Sequence, residues 1–130
     1  MTEVQDRAKL AIQEAHREAV MAPIADLVDF LIDLLSPRLV AYIAGVKDTK
    51  TVRRWASGET GEMRQQDREE RIRLTYEIAR LLIQVDSPRI VKAWFIGLNP
   101  QLDDTSPAEA IHEGKLKEAL YAARAFTAGG

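Results

Sequence analysis

Three Ser-Pro pairs, Ser36-Pro37, Ser87-Pro88 and Ser106-Pro107, each stand ahead of a segment rich in helix-forming residues. A serine hydroxyl can accept from the free amides at a helix start. Proline fits the first helical position because its missing N–H would have had no helical partner there. Apolar residues elsewhere recur at spacings of three and four, and no run alternates with the period of two that a half-buried strand needs. The chain is therefore expected to be all-α.

A first helix over about 3–20 carries a thin, alanine-rich face (Val4, Ala8, Ala11, Ile12, Ala15, Ala19) that needs a partner surface. After the break at Pro23, Ile24, Leu27, Val28, Leu31, Leu34 and Leu35 form a strong apolar stripe. Two short helices follow, one stopped by Gly45 and one running from about Thr49 to Ala56 and ended by Gly58. Residues 58–66 read as a polar linker. A long helix over 67–85 is expected to bury Leu74, Ile78, Leu81, Leu82 and Val85 and to keep the pairs Asp67–Arg71 and Glu69–Arg73 on its wet side. Three more helices open at Pro88, Pro107 and about Lys115.

The composition excludes several kinds of chemistry. With no cysteine among 130 residues, disulfides and thiolate metal sites are impossible. The two histidines, His16 and His112, lie far apart in sequence and read as structural residues, so no metal site is expected. Neither GxxxxGK nor GxGxxG occurs, and Asp103-Asp104 read as favourable charge ahead of a helix start. No catalytic residues and no cofactor are assigned, and the chain is not expected to be an enzyme. No apolar run approaches the ~18 residues that span a bilayer. Met1 to Leu10 are polar and mixed in charge, so neither membrane association nor secretion is expected, and a cytoplasmic location is.

The net charge is −2, but residues 36–58 hold five basic side chains and one acidic one, a local +4. The same segment has the spacing of a helix-turn-helix. Ala41 is small where a second helix must cross, Gly45 tolerates a tight turn, and Val52 and Trp55 pin the second helix inward. Thr49, Lys50, Thr51, Arg53 and Arg54 then face outward, with Arg38 and Lys47 flanking them. Arginines at a helix surface suit phosphates and guanine edges, so these seven residues are the candidate DNA contacts.

Further along, Trp94 and Phe95 are adjacent and cannot face the same way. Trp94 is assigned to the core, and Phe95 then either supports the Asn-Pro loop or meets a partner. Asn99-Pro100 reads first as turn chemistry. Tyr121, Arg124 and Phe126 are large groups on the last helix, either of the kinds that make interface hot spots or simply packing that helix down.

The order of these parts, LVAYIAGVKDTKTVRRWASGE, a long helix, then VKAWFIGLNPQLDDTSPAEAI, resembles the Xre/MbcA/ParS family of antitoxins. The likeness covers about residues 36–126, through Ala93-Trp94-Phe95, Asn99-Pro100-Gln101-Leu102 and Ser106-Pro107-Ala108-Glu109. It implies a type II antitoxin that occludes an NAD-degrading RES-domain toxin through a C-terminal helical domain. It also implies repression of a shared operator through an N-terminal, Xre-like helix-turn-helix. The corresponding division is a helix-turn-helix unit with linker over 23–66 and a toxin-binding domain over 67–130. Residues 1–22 fall outside the likeness, and it is their alanine-rich face that suggests an N-terminal helix for dimerisation. The toxin-binding candidates are Phe95, Asn99, Pro100, Leu102, Tyr121, Arg124 and Phe126. The expected partners are the cognate toxin and double-stranded operator DNA, in a homodimer or a larger hetero-oligomer with toxin. The alternative is a stand-alone helix-turn-helix regulator whose C-terminal helices dimerise or sense a ligand.

Overall fold

The computed structural model describes residues 2–64 and 67–129, with Glu62 and Arg64 described by their backbone alone. Among the described residues, eight α-helices run in the order α1 (Thr2–Met21), α2 (Ile24–Leu35), α3 (Pro37–Ala44), α4 (Thr49–Ala56), α5 (Arg68–Ile83), α6 (Pro88–Ile96), α7 (Pro107–His112) and α8 (Leu116–Thr127). Short 3-10 turns occupy Gly61–Arg64 and Pro100–Leu102. Among the described residues there is no strand, and the bridge Asn99–Thr105 stands isolated. No helix among them is long and apolar enough to cross a membrane.

All three Ser-Pro pairs start helices in the expected way. Ser36, Ser87 and Ser106 each accept through Oγ from the amide three residues on, Leu39 at 3.2 Å, Ile90 at 3.4 Å and Glu109 at 3.0 Å.

Helix α5 is the axis of the molecule and packs against α1, α2, α3, α6, α7 and α8. Surrounded in this way, it buries Ile72, Thr75, Tyr76, Glu77, Ile78, Ala79, Leu81 and Leu82, far more than one stripe. Among these side chains, Thr75 Oγ1 donates to the Arg71 carbonyl at 2.7 Å, and the Tyr76 ring meets Phe30 of α2 edge-on at 5.2 Å. The buried face differs in part from the expected one. Leu74 is half-buried, and Val85 is exposed because α5 ends at Ile83 and Val85 falls in the turn beyond it. A single cluster of buried apolar side chains runs from Ala19 through α2–α5 to Ala123 on α8, drawing on segments 23–66 and 67–130 alike. The linker over 58–66 is less polar than it reads, because Met63 is fully buried. Gln65 and Gln66, its last residues, lie outside the described residues.

The thin face of α1 finds its partner in α5, where Ala15 and Ala19 are buried. Three polar ties fix the pair. His16 Nδ1 meets Glu77 Oε1 at 3.1 Å, and Arg80 Nε donates to Glu18 at 3.2 Å. Arg73 Nη1 donates to the carbonyls of Ala19 and Ala22, both at 2.9 Å, while its Nε donates to Glu69 at 2.9 Å. The Glu69–Arg73 pair thus exists, but Arg73 is mostly covered, and its cation caps the last carbonyls of α1. Arg73→Met keeps the apolar stem and strands those carbonyls, so it is expected to cost about 1–3 kcal/mol. Amide exchange is expected to rise first in α1. Unchanged protection of residues 12–22 in the variant would contradict this role.

Candidate nucleic-acid interface and partner groove

Helices α3 and α4 pack on each other and are joined by Gly45–Asp48. Gly45 closes α3 with φ 85°, its N–H donating to the Tyr42 carbonyl at 3.2 Å, while Val46 N–H reaches back to the Ala41 carbonyl at 3.0 Å. This six-to-one closure needs a left-handed residue, and a Cβ at Gly45 would also come within 3.3 Å of Arg71 Nη1. Asp48 then caps α4, accepting from Lys50 N–H at 2.7 Å.

From that start α4 presents two distinct faces. Val52 and Trp55 are buried, at 0% and 1% exposure, against α2 and α3. Lys50, Arg53 and Arg54 are exposed, as are Arg38 on α3 and Lys47 in the turn, while Thr49 and Thr51 are half-buried. Thr51 Oγ1 accepts from Arg54 at 3.4 Å, which steadies one guanidinium on the helix surface. Arg38, Lys47 and Thr49 share the wall of a depression of about 270 Å³ with Ala41, Tyr42 and Val46. Tyr42 has no motif in the sequence to single it out. Its ring stacks on His112 of α7 with centroids 4.4 Å apart and planes 11° from parallel.

The second candidate set divides. A groove of about 400 Å³ lies between the loop after α6 and α8, lined by Trp94, Leu98, Asn99, Pro100, Ala122 and Phe126, among others. Asn99 organises the loop: its Oδ1 accepts from Gln101 N–H at 2.9 Å, and its carbonyl accepts from Leu102 and Asp104. Asn99-Pro100 therefore does have the turn role expected of it. Asp103 and Asp104 are exposed residues with φ of 54° and 63°, so they also serve this turn as left-handed residues.

Of the seven residues proposed for a protein partner, Asn99, Pro100 and Phe126 come together at the groove. Tyr121 and Arg124 are exposed on α8 but do not line it. Phe95 and Leu102 require correction. Phe95 is 0% exposed and Leu102 is buried, so neither presents a surface to a partner. The roles of the adjacent aromatics are reversed, because Phe95 shares its helical face with buried Val91 four residues earlier. Trp94 sits at the groove rim, edge-on to Phe95 at 5.2 Å and tilted against Phe126 at 6.4 Å. The exposed groove leucine without any sequence signal is Leu98, a loop residue that is 76% exposed.

Among the described residues no three His, Asp or Glu side chains are grouped to hold a metal ion. Comparison with protein-family models, with curated protein sequences and with solved structures gives no match.

Proposed function

We propose that the chain is a DNA-binding antitoxin, with α3–α4 as a helix-turn-helix on duplex DNA and the groove beside α8 as the seat of a RES-domain toxin. One observation carries the DNA reading. Helix α4 is anchored by buried Val52 and Trp55 and turns Lys50, Arg53 and Arg54 to solvent within the one electropositive segment of an acidic chain. The acidic remainder repels a polyanion, so binding is confined to that face and oriented by it. Arginines there can contact base edges while Lys47 and Arg38 hold phosphates.

The toxin half rests on the resemblance, and the groove supports it by offering exposed Leu98 and half-exposed Trp94 and Phe126. Such an apolar centre with a polar rim is what a protein interface requires. Leu98→Asp is expected to leave thermal stability within about 0.5 kcal/mol of wild type, since the side chain packs against little. It is also expected to abolish growth rescue in cells expressing a RES-domain toxin, while duplex binding persists. Full rescue by Leu98→Asp would remove the groove from the toxin site. Intact DNA binding with no toxin protection by the wild-type chain would favour the stand-alone regulator instead.

A further inference from the structure

We infer that Tyr42 donates its phenolic hydroxyl to a backbone phosphate of the bound duplex, beside Arg38 and Lys47, and that His112 is the residue that positions it. This rests on the DNA-binding reading of α3–α4 and adds to it a neutral phosphate donor and a tie to the C-terminal helices.

Tyr42 is a large aromatic residue left 43% exposed, yet its ring is not loose. It is stacked face to face on His112, and His112 Nδ1 is 2.6 Å from the Tyr42 carbonyl oxygen. A carbonyl can only accept, so Nδ1 carries the proton and donates. His112 therefore grips Tyr42 twice, by its ring face and by its backbone, at the last turn of α3. A side chain held in this way has little rotamer freedom left to lose on binding.

The depression that Tyr42 lines is also lined by Arg38 and Lys47, two cations that favour an anion there, and by Thr49 at the start of α4. The hydroxyl is protonated at neutral pH, as an ordinary phenol is, and burial first, then Glu109 and Glu113, push its ionisation further up. A phosphate oxygen only accepts, so a protonated phenol complements it. The same carboxylates oppose an anion, and Glu113 is partly offset by Lys115 Nζ at 3.5 Å. A neutral donor fixed in place tolerates that background. The first helix of a helix-turn-helix crosses the DNA backbone, which is where α3 carries this group.

The test uses mixed-sequence duplex DNA, since a phosphate contact needs no particular operator, and reads affinity across a salt series together with melting temperature. Tyr42→Phe keeps the stack and loses only the hydroxyl. It is expected to weaken binding about ten-fold with an unchanged melting temperature. The salt slope is expected to stay at the wild-type value, because a neutral donor releases no counterion. His112→Ala is expected to weaken binding in the wild-type background and to add no further loss on top of Tyr42→Phe, the non-additivity of two residues acting through one contact. Wild-type affinity in Tyr42→Phe overturns the inference and leaves the DNA reading standing. Additive losses overturn the positioning role of His112, and a shallower slope in Tyr42→Phe gives the phosphate to Arg38 or Lys47 instead. Absence of duplex binding by the wild-type chain overturns the DNA reading and this inference together.

Discussion

Trp55→Ala is expected to destabilise the whole molecule by about 3–5 kcal/mol, the cost of emptying a large core site. The indole is 1% exposed and lies in the same apolar cluster as α5 and α8. The cavity left behind would border α2 and α3, which hold α4 and reach α5. Because one cluster serves both halves of the chain, duplex binding and toxin protection are expected to fall together with the melting temperature. That pattern separates Trp55 from the surface residues one helical turn away. A variant that melts like wild type but has lost only DNA binding would show the indole to be a DNA contact and the packing account to be wrong.

The triple variant Lys50/Arg53/Arg54→Ala is the opposite case. All three side chains are exposed, and alanine is the better helix former, so the fold is expected to hold. Duplex affinity is expected to fall by at least about 100-fold, since each interaction with a base edge or phosphate is worth ~1–3 kcal/mol. Toxin protection is expected to survive, because the groove residues Trp94, Leu98, Asn99 and Phe126 are untouched. Loss of both activities with an unchanged melting temperature would mean that the two surfaces are coupled by more than a shared core.

The helices are almost fully legible in the sequence, since their starts are local chemistry. Ser36, Ser87 and Ser106 each cap within three residues of themselves, and Gly45 closes α3 by bonds reaching only five residues back. The outward set on α4 is legible for the same reason, because fixing Val52 and Trp55 inward fixes the remaining residues by helical geometry.

What cannot be read there depends on neighbours distant in sequence. Arg73 looks like a solvated member of an i,i+4 pair until α1, more than fifty residues earlier, brings the carbonyls of Ala19 and Ala22 to it. Glu77 and His16 meet across 61 residues, and His112 meets Tyr42 across 70. The order of Trp94 and Phe95 is set by which side of α6 faces the core, and adjacent residues on one helix differ by about 100°. The buried face of α5 eludes a periodicity argument because a helix packed on every side has no single apolar stripe to find.

The proposed DNA-binding role of α4 stands or falls on the salt dependence of duplex binding by the wild-type chain. Exposed Arg38, Lys47, Lys50, Arg53 and Arg54 lie on or beside α4. If they neutralise several phosphates, log K falls linearly with log salt, at about −0.9 for each phosphate engaged. The expected slope is roughly −3 to −5 for the wild-type chain, made shallower by about one to three in Lys50/Arg53/Arg54→Ala. Binding that is flat in salt, or a slope identical in the two proteins, would contradict that role.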